Sequence, residues 1–427
     1  MAKEVKGTFV ELDGEKFYCI KNYDCMEDFF MTITSSSDIW NFCWSHGGIS
    51  AGRINSNHSI FPYYTADKIS DMKNVTGSWT AVAVKTADGV KIWQPFESLL
   101  SGVNYKTKNC TSIERNIYKN LNGTKIWFEE INKDLGLSFR YGWTSSAKFG
   151  LVKMSRIENL SGKEMEISIV DGCRNILPAC INSNVQNENS TLIDAYKETD
   201  LDAESGLSFY IMSSVLTDRA EPSEGLLANT SWFTCDGKIF LQENTPALFY
   251  EADGDTDKIE SVPVTKGERG ASYIAQKISL KDKAEWYQVF DTFLTASKVA
   301  SLKNMLKNKA AAADALKADM EATENLMTTY LSEADGIQDT AEEMTCAHHR
   351  ANVMFNIMRG GFYADNGKIN APDLFDFVKT RNKEKGEELE KILSSFKGKT
   401  SLSKDELEAA LSETKDPQIQ RLFMEYM

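Results

Sequence analysis

The chain has 427 residues, 42% hydrophobic and 26% charged, the composition of a folded protein too long for one ordinary core. A formal net charge of -14 repels phosphate backbones and anionic lipid headgroups, which argues against nucleic acid and membrane surfaces as partners. The eight cysteines form no CxxC pair and no Cys/His cluster, so they read as buried thiols and no metal site is expected.

The opening "MAKEVKGTFVELDGEKF" has no apolar leader segment, and no apolar run long enough to span a membrane follows, so a reducing cytoplasm is the expected location. From residue 5 to about 282 the chain returns repeatedly to short alternating segments rich in β-branched and aromatic residues, among them "KFYCIKN", "DFFMTITSS", "SWTAVAVKT" and "GTKIWFEEIN". Strands without intervening helical periods predict antiparallel sheets packed face to face.

Within that region "WSHGGISAGRINSNHSIFPYY", residues 44–64, is glycine-rich. It fits a hairpin at a sheet edge, the preferred reading, or a loop whose His46, Arg53 and His58 donate hydrogen bonds to a ligand's hydroxyls or to an anion. The eight tryptophans, at 40, 44, 79, 93, 127, 143, 232 and 286, fall mainly on strand segments. Flat rings there can stack on sugars, but most are expected in the core. In "KMSRIENLSGKEMEISIVDG" Met165, Ile167 and Ile169 share one face, Glu164, Glu166 and Ser168 the other, and Asn159 to Gly162 supply the turn of a long hairpin. The polar stretch 187–205 predicts a helical turn or an excursion between strands.

Past Asp282, "KAEWYQVFDTFLTASKVASLKNML" and the Ala/Lys/Glu-rich run after it predict one or two long connector helices. A further helix over about 337–359 places Ile337, Ala341, Met344, His348, Ala351, Phe355 and Met358 on one apolar stripe, with His348 inside and His349 facing elsewhere. Asn352, Asn356 and Arg359 form a polar line leading into "NIMRGGFYADNG". There a glycine C-cap beside a dipole-complementing arginine is preferred over an anion or sugar site built from Asn356, Arg359 and Asp365. Pro372 opens another helix, and "SLSKDEL" offers a capping box of Ser403 with Glu406. The closing "RLFMEYM" is apolar with nothing evident in sequence to cover it, which predicts that the chain is part of a longer protein.

The order of these parts, with "DFFMTITSSSDIW", "SRIENLSGKEMEISIVDG" and "VMFNIMRGGFYADNG", resembles cellobiose phosphorylase and its glycoside phosphorylase relatives. The resemblance implies an α+β, multidomain chain with three parts. Residues 1–282 are expected to form an antiparallel β-supersandwich able to bind carbohydrate, 283–336 a helical linker, and 337–427 the start of an (α/α)6-barrel-like region. It implies phosphorolysis of a β-glucoside with inversion, giving a sugar 1-phosphate, with inorganic phosphate as co-substrate and no other cofactor. In such a reaction one carboxylic acid protonates the leaving oxygen, and phosphate takes the place of an activated water.

The family's Gly-Phe-Arg-Asp run, which carries its catalytic aspartate, has no match here; "GFYAD" lacks the arginine and the spacing, so no catalytic residue is assigned. About twelve barrel helices need on the order of 200 residues, more than follow the connector. The expectation is therefore the amino-terminal portion of such an enzyme, inactive alone. Its expected partners are a disaccharide or oligosaccharide, the missing barrel and, as an open alternative, a second copy in a homodimer. A non-catalytic carbohydrate-binding or assembly module and a glycoside hydrolase of similar architecture remain the competing readings.

Overall fold

Alternating β-branched and aromatic residues dominate the first three hundred positions, and strands form there. A computed structural model describes residues 3–86, 89–97, 112–188, 190–214, 227–338, 340–357, 368–394, 398–412, 414 and 416–426. The chain divides into two units, Met1–Thr323 and Glu324–Met427.

The first unit begins with β1 (Lys6–Leu12), β2 (Glu15–Lys21), β3 (Phe30–Ile33), β4 (Ile39–Trp44), β5 (Ile49–Arg53), β6 (Ser59–Phe61) and α1 (Ala66–Asp71). It continues through β7 (Gly77–Thr86), β8 (Gly89–Trp93), β9 (Ile113–Asn120), β10 (Ile126–Asn132), β11 (Leu137–Ser146), β12 (Gly150–Asn159) and β13 (Met165–Ile176). Then come α2 (Ser183–Glu188), α3 (Ser190–Asp194), β14 (Lys197–Asp202), β15 (Leu207–Met212), β16 (Leu227–Phe233), β17 (Lys238–Phe240) and α4 (Thr245–Glu251). It closes with β18 (Val264–Lys266), β19 (Gly270–Leu280), β20 (Lys283–Thr295), α5 (Ala296–Leu306) and α6 (Lys309–Glu333), the last running on into the second unit.

Three antiparallel sheets result. The largest has eleven strands in the order β1-β2-β9-β10-β11-β12-β20-β16-β15-β14-β18; the others are β17-β19-β13-β7-β8 and β3-β4-β5-β6. Along β10, Ile126 and Phe128 point into a core shared by all three sheets, while Trp127 between them points to the opposite face. That opposite face is covered by Leu306 of α5 and by Ala312 and Leu316 of α6. Its central strands are thus buried on both sides.

The antiparallel, face-to-face architecture agrees with the expectation; two details differ. Residues 283–295 are a strand, because Trp286, Gln288 and Phe290 alternate inward, so helix begins only at Ala296. The expected 160s hairpin is a crossing between sheets: β12 pairs with β11 and β20, whereas β13 pairs with β7 and β19. Asn159 turns that corner by donating to the Leu280 and Lys163 carbonyls. The stretch 187–205 contains the ends of α2 and α3 and then β14, an edge-proximal strand.

The second unit holds α7 (Glu343–Ile357), β21 (Lys368–Asn370), α8 (Ala371–Arg381), α9 (Lys383–Leu393), β22 (Ser401–Ser403), α10 (Lys404–Leu411) and α11 (Pro417–Tyr426). Pro372 lies in the first turn of α8, and the Ser403/Glu406 capping box starts α10, both as the sequence predicts. The apolar residues near the chain's end are covered within this unit: Ile419, Leu422 and Phe423 pack with Leu374, Val378, Leu389 and Leu407. Tyr426 meets Phe377 edge-on. The α7 stripe is the reverse case, since Met344, His348, Ala351 and Phe355 are exposed and the helix instead buries Met354 beside Met327 and Leu331. Among the described residues no helix is long and apolar enough to cross a membrane.

Candidate functional site

The β3-β4-β5-β6 sheet breaks the usual apolar-in, polar-out alternation. On β4 the inward residues Ile39, Asn41 and Cys43 are buried, and the outward positions are all aromatic: Trp40, Phe42 and Trp44. Phe30 on β3 lies directly across from Trp44, with ring centroids 4.9 Å apart, and is 51% exposed. Ring contacts run without interruption from Phe30 to Phe42 (5.8 Å), Phe42 to Trp40 (5.6 Å) and Trp40 to Tyr63 (5.6 Å).

The neighbouring strand leaves room for the Trp40 ring. Opposite Trp40 and Phe42 on β5 stand Gly52 and Ser50. A Cβ at Gly52 would come within 2.7 Å of the Trp40 ring and 2.3 Å of the His58 carbonyl oxygen, so only glycine lets the indole lie down on the sheet. The indole N–H of Trp40 donates to the Asn55 carbonyl and fixes the ring's rotation. Three aromatic positions alternating along one strand span about 14 Å at the usual strand rise. Phe30 and Tyr63 are exposed and Trp40, Phe42 and Trp44 half-buried, and a contiguous aromatic surface of this kind is a candidate interaction site.

His46 and Arg53, the candidates from the glycine-rich run, flank this sheet in structural roles. His46 is 2% exposed; the Gly48 N–H donates to Nδ1, which puts the proton on Nε2, 2.8 Å from the Ser70 hydroxyl in α1. Burial, reinforced by Lys73, pushes its pKa down and keeps the ring neutral. Arg53 bridges Asp291 of β20 at 2.6 Å and Asp38 at 2.5 Å, and also donates to the Ala147 carbonyl. Burial pushes the Asp291 carboxyl up, an effect that Arg53 only partly offsets. Arg53 thereby clamps the small sheet to the large one, and its guanidinium is committed to carboxylates.

A second concavity, of about 540 Å³, lies between the outer face of the large sheet and α6. Its floor is Phe17, Trp127, Met154 and Tyr287, and Met320 forms one wall. The rim is charged, but each cation has a carboxylate: Lys125 with Glu15 at 2.5 Å, Arg156 with Asp13 and Glu285 at 2.5 Å, and Arg140 with Glu129 at 2.7 Å. Burial pushes the Glu129 carboxyl up, yet Arg140 and hydrogen bonds from Asn116 and Tyr118 outweigh it and hold the pKa below the ordinary value. This compensated rim offers no surplus positive charge for a phosphate.

Beneath, Asp171 ties two sheets together. It is 0% exposed and accepts from Lys153 (2.6 Å), Thr80 (2.5 Å), Ser155 (2.7 Å) and Trp286 (2.9 Å).

Of the remaining candidates, Asn356 is exposed near the end of α7, and Arg359 and Asp365 lie outside the described residues. The adjacent histidines are reversed from expectation. His348 is exposed and His349 is half-buried, its Nε2 2.8 Å from the Asp335 carbonyl oxygen. Of the described thiols, Cys19, Cys43 and Cys173 are buried and Cys180 is exposed. No group of three or more His, Cys, Asp or Glu side chains is placed to hold a metal among the described residues.

Of the eight tryptophans, 79, 93, 127, 143, 232 and 286 are core, as expected. Trp40 and Trp44 escape that rule. The cue in the sequence is aromatic residues at 40, 42 and 44 alternating with isoleucine, asparagine and cysteine, but either face of such a strand can be the inner one.

No family model and no curated protein matches the chain. Solved structures to which it is similar include a bacterial glucoamylase complexed with acarbose, at 10% identity and TM-score 0.42 over 72% of this chain and 38% of that one. Others are a candidate kojibiose phosphorylase from the human microbiome (8%, 0.33, covering 62% and 32%) and a 4-alpha-glucanotransferase from Thermococcus litoralis (9%, 0.26, covering 68% and 42%). The chain spans less than half the length of each. Likeness this distant assigns neither a site nor an activity.

Proposed function

We propose that this chain is the glycan-engaging portion of a carbohydrate-active enzyme, and that the aromatic row on β3 and β4 is where an oligosaccharide lies. The observation that carries this reading is the contiguous series of outward rings Phe30, Trp44, Phe42, Trp40 and Tyr63, with Gly52 making room for the Trp40 indole. Flat rings suit the apolar C–H face of a pyranose and supply affinity without charge, which fits a chain of net charge -14 and a neutral ligand. The length of the row favours an extended oligosaccharide over a single sugar.

The finer proposal, resting on the resemblance of "SRIENLSGKEMEISIV" to the cellobiose phosphorylase group, is inverting phosphorolysis of a β-glucoside with inorganic phosphate. Its catalytic acid and phosphate contacts belong to the (α/α)6 barrel that the resemblance implies. One observation favours a second reading, a non-catalytic carbohydrate-binding module: every rim cation of the large groove named above is already matched by a carboxylate.

Calorimetric titration with a series of gluco-oligosaccharides tests the common premise. Binding should strengthen with chain length. Trp40→Ala or Phe42→Ala should each weaken it by about 5- to 30-fold, the equivalent of about 1–2 kcal/mol for a lost stacking ring. Affinity unchanged by both substitutions, or no binding to any member of the series, refutes the assignment.

A further inference from the structure

We propose that a small cavity walled by α1, α3 and the start of β14 binds a carboxylate monoanion no larger than a monosaccharide acid. The cavity holds about 230 Å³, below the roughly 300–1,000 Å³ of a drug-sized site, which bounds the ligand. Its place follows from the end of β13. There Asn175, with a left-handed φ of 56°, drops out of the ladder with β19, so that Arg174 lies opposite Ala271 and Ile176 opposite Gly270. The cavity opens beside this bulge, with Asn175 in its wall. It shares no residue with the aromatic row, so it stands or falls separately from the oligosaccharide reading.

Three cations line it: Lys68, Lys197 and Arg269. Lys197 is 4% exposed, and its ammonium has Asp194 Oδ1 at 2.7 Å and no other acceptor among the described residues. Arg269 Nε lies 3.3 Å from Asp194 Oδ2, and its Nη1 3.3 Å from Glu243 Oε1. Lys68 sits over the Tyr64 ring, 4.0 Å from its centroid, and forms no ion pair among the described residues. Asp194 and Glu243 therefore serve three cations, and one positive charge is left over. Glu268, next to Glu243, does not line the cavity, and burial pushes its carboxyl up, toward the neutral form.

One surplus charge matches one carboxylate. A dianion would bring a second negative charge that nothing in the wall answers, and an unanswered charge is costly wherever water is partly excluded. Burial pushes the Lys197 pKa down and Asp194 opposes that; a carboxylate bound beside it adds to the effect of Asp194 and keeps the ammonium charged. Burial, reinforced by Asp194, pushes Tyr64 up, so its hydroxyl keeps a proton to donate. Met72, Leu177 and Ile193 leave the rest of the wall apolar, suited to the C–H face of a compact organic acid.

The test is calorimetric titration of the full chain at low salt with D-glucuronate, L-lactate, sulfate and D-glucose. At least one of the two carboxylates should bind with a Kd of roughly 1 mM or tighter, and more tightly than sulfate or glucose. Tighter binding of glucuronate assigns the pocket to a sugar acid, and of lactate to a smaller acid; both support the inference. Lys68→Met removes the surplus cation without stranding a carboxylate, so the variant should fold and bind the better carboxylate about 10-fold or more weakly, for loss of a charged contact. Should it not fold, Lys68→Gln decides, with the same loss expected. Neither carboxylate binding at up to about 50 mM, sulfate or glucose binding as tightly as the better carboxylate, or unchanged affinity in the folded Lys68 variant overturns the inference.

Discussion

Asp171→Asn probes the joint between the two larger sheets. Asp171 Oδ1 takes hydrogen bonds from Lys153 and Thr80, and Oδ2 from Ser155 and Trp286. Whichever oxygen becomes an amide NH2, it faces one donor that cannot turn to accept, the Lys153 ammonium or the Trp286 indole N–H, and the Lys153 ammonium, 0% exposed, loses its counter-charge. Breaking a buried pair from one side costs about 3–5 kcal/mol, a large share of the roughly 5–15 kcal/mol that stabilises a domain. Urea unfolding followed by fluorescence of the buried Trp143 and Trp286 reads the loss as a lower midpoint at unchanged slope. Adding Lys153→Met to Asp171→Asn removes the stranded charge and should recover about 2 kcal/mol or more. If Asp171→Asn stays within about 1 kcal/mol of the parent, or if the double variant is the less stable of the two, the argument from charge pairing fails.

Glu129 sets a pH dependence. Its folded-state pKa is held below the ordinary 4.5, so its contribution is complete above that value and is lost as pH falls through the folded one. Urea midpoints measured on the acid side should fall more steeply for the parent than for Glu129→Gln; parallel profiles would contradict this. Gly150→Ala should lower stability by about 2–4 kcal/mol. Its φ is +107°, and a Cβ there would meet the Phe290 carbonyl oxygen at 2.1 Å. A thermal midpoint within a degree or two of the parent would show that β12 and β20 can part at little cost.

Local chemistry was legible wherever neighbours in sequence decide it. The Ser403/Glu406 box, Pro372 in its helix and the inward face of Ile167 and Ile169 all follow from spacing alone. What depends on distant partners was not. The run 283–295 begins with lysine and alanine and precedes a true helix, so its period-two pattern was masked by composition. Residues 150–176 show two good strands and a turn, but which sheet each strand joins is settled by β20 and β19, far along the chain. On α7 the most apolar face is exposed, because the helix buries the side that meets Met327 and Leu331. For the site, sequence located His46 and Arg53 near the small sheet but could not show that Ser70 and two aspartates consume their donors. The aromatic row was hidden for a simpler reason: rings at 40, 42 and 44 look the same whether they face solvent or core.

The position of β20 bears on how the protein is made. It is the strand through which β12 reaches β16, and its thirteen residues end at Thr295. A ribosome that has released only the preceding 282 residues has therefore delivered β12 with one long edge bare. Such an edge recruits any extended segment within reach. Until Lys283 to Thr295 leave the exit tunnel, the nascent sheet stands in two halves, and the interval is one in which a holding chaperone would protect yield. Ribosome-bound chains stalled before and after those residues should differ sharply in protease resistance.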